Sequence, residues 1–251
     1  MEMMKMKVTS QPCRIVSSAP AQGEKLEPGH FALTLRQNSY GNCHAISSYR
    51  EVLEHSEMQR PEVIVSDGTY YVDLPGYKEI LVYKSIPDSA VAITKDPYAR
   101  LVLKALDDAK RREYPNMDKG GGASPSLDLK YLTGLKSTSS KRGSVDDGPP
   151  SGTLRISDAS VDALVVSTKQ RLFWFKKLTS KHAYAVHSID KANQKVTLTD
   201  TDGSLVTVSF HQFDQQVDSI DRLSQMAVVT ARKARLARVP CTMSGVKSFS
   251  D

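Results

Sequence analysis

A break in composition between residues 116 and 153 constrains this chain more than any other feature. It holds glycine at Gly120, Gly121 and Gly122, then STSSKRGS at Ser137 to Ser144 and DDGPPSG at Asp146 to Gly152. Segments so poor in large apolar side chains bury too little surface to offset the entropy lost on ordering. The chain therefore reads as two packed parts joined by a flexible loop, drawn at 136–152. SLDLKYLTGL, just ahead of that loop, reads as a short helix packed on its Leu and Tyr residues.

The part before the break, 31–135, has mainly helical patterning. In CHAISSYREVLEHSEM, Cys43, Ile46, Tyr49, Val52 and Leu53 recur at three- and four-residue intervals, as on one face of a helix. Asn38 or Ser39 is placed to cap it, which puts Cys43 in the first turn. A second face built from Tyr98, Leu101, Val102, Ala105 and Ala109 predicts a helix over 98–112. Between them, β-rich runs around Asp67-Gly68 and Pro75-Gly76 predict a hairpin or short ladder. Residues 1–30 show no steady period and read as a loosely ordered arm, or an extended segment lying across the body, with the ordered structure starting near Phe31.

The part after the break, 153–228, is β-rich. HAYAVHSID, KVTLTD and SLVTVSF predict three strands of an antiparallel sheet, with Asp202-Gly203 in one turn. ISDASVDALVVSTKQ ahead of them reads as a helix capped by Ser157, and Phe213 to Leu223 as helical or turn-like. The basic segment at 229–251, densest from Arg232 to Arg238, reads as a solvated face or tail, or as a contact for a partner or membrane. The fold class is thus α+β.

Several functions are disfavoured. A net charge of +6 without clustered basic residues in the body is no nucleic-acid footprint. There is no P-loop, dinucleotide glycine pattern or zinc-finger spacing, so neither a cofactor nor a metal site is expected. No apolar run reaches the roughly 18 residues of a membrane span, and Met1 to Val8 lacks a signal-peptide core. The expected location is cytoplasmic, or outside the producing cell by a route that needs no classical signal. Three widely spaced cysteines, Cys13, Cys43 and Cys241, make no disulfide framework.

Cys43 stands apart from the other two because of its neighbours. A thiol at a helix start meets unpaired backbone N–H groups and the positive helix end, which favour the thiolate. Acyl transfer by such a sulfur needs an imidazole to take its proton and a polar group to orient that imidazole. His182 opens one predicted strand and Asp200 closes the next, so antiparallel pairing can bring them together. Gln37, upstream of Cys43, can offer an amide to a developing oxyanion. His44 reads as a surface or packing residue, and His30, His55, His187 and His211 carry no role.

QNSYGNCHAISSY at Gln37 to Tyr49 resembles the active-site motif of calpain-type cysteine proteases, in which a glutamine precedes a glycine, an acidic or amide residue and the nucleophilic cysteine. KHAYAVHSID resembles the calpain histidine motif, with Lys181 in place of its glycine. TDTDG at Thr199 to Gly203 is similar to the strand-end motif that normally carries Asn-Pro-Trp-Gly. Asp200 stands for the asparagine and Asp202 for the tryptophan, so the aromatic shield over the site is expected to be missing. His44 replaces the aromatic residue that usually follows the cysteine. The similarity runs in order from Gln37 to Ile220. It implies a papain-like fold, with a helical subdomain carrying Cys43 and an antiparallel β subdomain carrying His182 and Asp200. It also implies Cys43 as nucleophile, His182 as base, Asp200 as orienting group and Gln37 as oxyanion-hole donor.

The expected activity is cleavage of a protein substrate through a thioester acyl-enzyme. Alternatives are glutamine deamidation or transglutamination by the same triad, and a catalytically silent protein-binding module. A compact unit of this kind resembles bacterial effectors or toxins delivered into a host cell, an expectation that rests on analogy alone.

Overall fold

The run beginning at Cys43 forms helix α1, Cys43–Glu54, and it organises everything around it. The computed structural model describes residues 14–16, 19–20, 22–29, 33–37, 42–54, 58–88, 92–115, 124–141, 164–169 and 177–223. Within these, α1 is buried around most of its circumference: Ile46, Tyr49 and Val52 are inside, but so are Ser47, Ser48, Arg50 and Glu51. Buried polar side chains must find partners. Ser47 donates to the carbonyl of Ala183 at 3.0 Å, Ser48 to that of Pro125 at 3.4 Å, and Glu51 accepts from Val186 N–H at 2.7 Å.

Two further helices pack near it. α2, Pro97–Glu113, starts where Asp96 accepts a hydrogen bond from Ala99 N–H at 2.8 Å and Pro97 supplies a preset φ. Such a cap stabilises by about 1 kcal/mol. α3, Pro125–Thr133, is the short helix expected from SLDLKYLTGL. It ends at Gly134 with φ 68°, where a Cβ would come within 2.8 Å of the Pro75 carbonyl oxygen, so glycine is required twice over.

β1 (Arg14–Val16), β2 (Glu24–Leu26), β4 (Glu62–Ser66), β5 (Thr69–Asp73) and β6 (Ile80–Tyr83) form an antiparallel five-stranded sheet in the order β1-β6-β5-β4-β2. The hairpin expected at Asp67-Gly68 is β4–β5, and both turn residues have positive φ. Of the first thirty residues, Arg14–Val16 and Glu24–Leu26 are paired strands of this sheet, so regular structure begins before Phe31, and residues 1–13 lie outside the described residues. β1 and β2 are the two edge strands, and they give the outer sides of β6 and β4 ladder partners. A separate two-stranded ladder joins β3 (Arg36–Gln37) to β7 (Ala92–Ile93).

The second sheet has six antiparallel strands in the order β12-β11-β10-β9-β13-β8. The three expected strands are β10 (Ala183–Asp190), β11 (Lys195–Thr199) and β12 (Leu205–Ser209). Three expectations need correction. Leu164–Thr168, assigned to a helix from ISDASVDALVVSTKQ, is strand β9; the part of that run from Ile156 to Ala163, with Ser157, and Gln170 lie outside the described residues. Leu164, Val165 and Val166 are all buried because both faces of the sheet are covered, and this removes the alternation by which a strand is recognised. Val217–Leu223, expected as helix or turn, is strand β13, and the helix there is α4, Phe210–Gln216, closed by a Ser209/Gln212 capping box. Ser137–Lys141, the start of the expected flexible loop, is strand β8 on the edge of this sheet, ordered by pairing with β13 despite its small polar side chains.

Val165, Ala183 and Leu223 belong to the core shared with α1, α2 and α3, whereas Val166, Tyr184, Val186, Leu198 and Phe213 form a second core with α4. Alternate residues of β9 and β10 thus face opposite layers, as strand geometry requires. The architecture is α+β, with α1 laid on the second sheet. Among the described residues no helix is long and apolar enough to cross a membrane. Cys13, Cys241, His30, His55 and the basic run Arg232–Arg238 lie outside the described residues.

Candidate active site

Cys43 is the first residue of α1 and is 8% exposed. The Asn42 carbonyl accepts the first intrahelical bond from Ile46 N–H at 3.1 Å, so the sulfur sits at the positive end of the helix. Asn38 and Ser39, the expected caps, lie outside the described residues.

Across from it, His182 sits just ahead of β10 and its backbone is held from both sides. His182 N–H donates to Thr168 Oγ1 at 2.9 Å, and Thr168 N–H donates to the His182 carbonyl at 2.9 Å. Lys181, where the calpain motif has glycine, has φ 52°. The left-handed conformation that favours glycine is therefore kept by a lysine. The His182 ring meets Tyr184 edge to face, with centroids 4.8 Å apart, and the Tyr184 hydroxyl accepts from Thr179 N–H at 2.8 Å. The His182 side chain is 11% exposed.

Asp200 follows β11 and opens the tight turn to β12. Asp200 N–H donates to the Ser204 carbonyl at 2.8 Å, and Gly203 N–H donates to the Asp200 carbonyl at 2.9 Å. Asp202 accepts from Ser204 N–H at 2.9 Å, so the residue at the tryptophan position shapes the turn and stays exposed. Within this turn Asp200 Oδ1 takes a hydrogen bond from His182 Nε2 at 2.7 Å, from Thr201 N–H at 2.5 Å and from the Thr201 hydroxyl at 3.2 Å.

With Nε2 taken by Asp200, Nδ1 is the ring nitrogen open to the thiol, and Cys43 and His182 share a side-chain hydrogen bond. Burial opposes protonation of this ring, but its hydrogen bonds to Asp200 and Cys43, and their charges, outweigh burial and push it up to about 9. Burial alone would also raise Asp200. The His182 ring and the Thr201 donors hold its carboxyl below the ordinary range instead. The arrangement can accept a proton from sulfur and keep it on an oriented imidazole near neutral pH.

The structure brings Cys43, His182 and Asp200 together. Gln37 is half-buried in β3, opposite Ala92 on β7, separated from Cys43 by only a short stretch of chain. His187 is exposed on β10, and His211 Nε2 meets Gln215 Nε2 at 3.0 Å. His44, read from sequence as a surface or packing residue, has a stronger attachment. Its Nδ1 lies 2.5 Å from Asp128 Oδ2, whose other oxygen accepts from Lys110 Nζ at 2.7 Å. Asp128 is fully buried, and burial would raise its carboxyl, but the Lys110 and His44 charges and hydrogen bonds hold it low. Nothing in local spacing links residues from α1, α2 and α3, and only their inward polar positions on amphipathic helices hint at such a network. Among the described residues no group of three or more His, Cys, Asp or Glu side chains could hold a metal ion.

No protein-family model matches the chain, and no curated protein matches it.

Proposed function

We propose that this protein is a papain-like cysteine hydrolase that cleaves a protein substrate. The observation that carries this reading is the convergence, from α1, the start of β10 and the end of β11, of a helix-start thiol, an imidazole and a carboxylate. A structural histidine needs no raised proton affinity and no sulfur at its second nitrogen. The ordered resemblance to calpain motifs from Gln37 to Ile220 supports the same reading, and so does the helix-plus-antiparallel-sheet division around the site.

In the proposed reaction the Cys43 proton passes to His182 Nδ1, leaving an imidazolium beside a thiolate. The sulfur lone pair forms a bond to the substrate carbonyl carbon, and the π electrons move onto oxygen. The Cys43 backbone N–H and the Gln37 side-chain amide stabilise that oxyanion. Collapse of the tetrahedral species breaks the C–N bond, and the amine leaves with the proton from His182. Water then attacks the thioester while His182 takes its proton, releasing the acid and restoring the thiol. Asp200 keeps the ring oriented and stabilises its charged form throughout.

The test is to incubate the wild type and Cys43→Ala with cell lysate and compare products by peptide mass spectrometry. New chain ends that depend on Cys43 are the expected outcome. Gains of about 1 Da at glutamines without new ends would assign deamidation instead, and no Cys43-dependent product at all would contradict the hydrolase reading.

A further inference from the structure

We propose that Arg50 is a positioning residue for the Asp200 carboxylate, clamping the β11–β12 turn to the helix that carries Cys43. The proposal rests on the roles assigned above to Cys43, His182 and Asp200. Arg50 lies roughly two helical turns beyond Cys43 and so projects from nearly the same face of α1. It is 4% exposed, although a guanidinium is costly to bury without partners. It donates through Nη2 to the Leu33 carbonyl at 2.9 Å and to the Thr201 carbonyl at 3.4 Å.

The second contact matters because of what Thr201 does. Its N–H and hydroxyl both donate to Asp200 Oδ1, the same oxygen that meets His182 Nε2. A continuous chain of contacts therefore runs from Arg50 through residue Thr201 to the carboxylate and on to the ring. The charged groups facing Arg50 are Glu54 on its own helix and Asp200 and Asp202 on the turn, with Tyr49 nearby. Those facing His182 are Asp200 and Cys43. Gly203 completes the seat: a Cβ there would lie 3.6 Å from both Nη atoms, in ordinary contact with the guanidinium. Ser47 and Glu51 bind the backbone of β10 from the same helix, so nucleophile, histidine strand and carboxylate turn are all referenced to α1. A lysine would keep the charge but lose the fixed planar geometry that aims Nη2 at both carbonyls.

The experiment follows the His182 ring by NMR titration in the wild type, Cys43→Ala, Arg50→Lys and Arg60→Lys. Arg60 also donates to a backbone carbonyl, that of Leu53 at 2.8 Å, but at the far end of α1. The wild-type ring is expected to titrate near 9 and to fall in Cys43→Ala. Arg50→Lys should lower the ring's proton affinity by about tenfold, one pH unit, while Arg60→Lys leaves it in place. If Arg50→Lys does not fold, Arg50→Met, an apolar chain of similar length, serves instead. A wild-type midpoint that is high and falls in Cys43→Ala, combined with no change in Arg50→Lys, overturns the Arg50 proposal alone. An equal fall in Arg60→Lys also overturns it, by showing general loosening of the helix. A wild-type ring titrating at the ordinary 6.5 and indifferent to Cys43→Ala overturns the triad reading, and this proposal with it.

Discussion

Two imidazole–carboxylate pairs meet at the start of α1, and they have opposite surroundings. His44 lies 2.5 Å from Asp128, and His182 lies 2.7 Å from Asp200. Asp128 has no exposed side-chain surface and a buried ammonium, Lys110, on its other oxygen, so the pair is locked into an ionic network joining α1, α2 and α3. Asp200 is 22% exposed and held by the Thr201 N–H and hydroxyl, and the second nitrogen of its histidine faces a thiol. The same two residue types therefore serve two ends. A proton on His182 has somewhere to come from and go to, whereas the charges around Asp128 are bound to one another and hold helices in place.

This contrast can be broken most severely at the second pair. His182→Ala should lower kcat/KM by about 10²–10⁴-fold while costing less stability than loss of Asp128, as turnover and melting curves on the same preparations will show. Asp128→Ala should behave in reverse, destabilising the fold by about 3–5 kcal/mol because it strands the buried Lys110 ammonium. Any activity lost should track the unfolded fraction in a denaturant titration. Asp200→Ala should be milder than His182→Ala. Losing a charge-assisted hydrogen bond of about 1.5–3 kcal/mol lowers the rate roughly ten- to hundredfold.

Titration sharpens the comparison further. His182 is raised from 6.5 to about 9, so the stability it contributes is complete below pH 6.5 and lost as pH rises through about 9. In the proposed reaction, activity should fall along the same alkaline limb as the ring loses the proton that the leaving amine would take. Asp128 and Asp200 are both held below 3.8, so their contributions are present above that value and lost as pH falls below it. Unfolding curves measured across pH should show both limbs, and His182→Ala should remove the alkaline limb and weaken the Asp200 part of the acid one, leaving the Asp128 part in place. The smallest effect is expected at Lys181. Lys181→Gly relieves a left-handed lysine and should stabilise by about 0.5–1 kcal/mol after the added chain entropy of glycine, with activity unchanged.

Elements with clear local turn or periodicity signals were legible in the sequence. The Asp67-Gly68 hairpin, the α2 face and strands β10 to β12 carry their own periodicity or turn chemistry. β9 was not legible because LVVST is covered on both faces, and β8 was not because a Ser/Thr edge strand owes its order to its neighbour. At the site, strand-end positions pointed to the meeting of His182 and Asp200, whereas the approach of Cys43, distant in sequence, was expected from the resemblance to the calpain motifs. The Arg50 clamp and the Lys110–Asp128–His44 network left no comparable signal. Their partners are backbone carbonyls and side chains distant in the chain, which become neighbours only when the helices and sheets pack.

The central claim is that Cys43 and His182 act as one unit, and the most direct measurement is the rate of Cys43 alkylation by iodoacetamide at pH 6, read from the Cys43 peptide by mass spectrometry. A protonated ring beside the sulfur stabilises the thiolate that alkylation requires. The wild type should therefore react about tenfold or more faster than His182→Ala. Equal rates in the two proteins, rising with pH as for an ordinary thiol, would contradict the account.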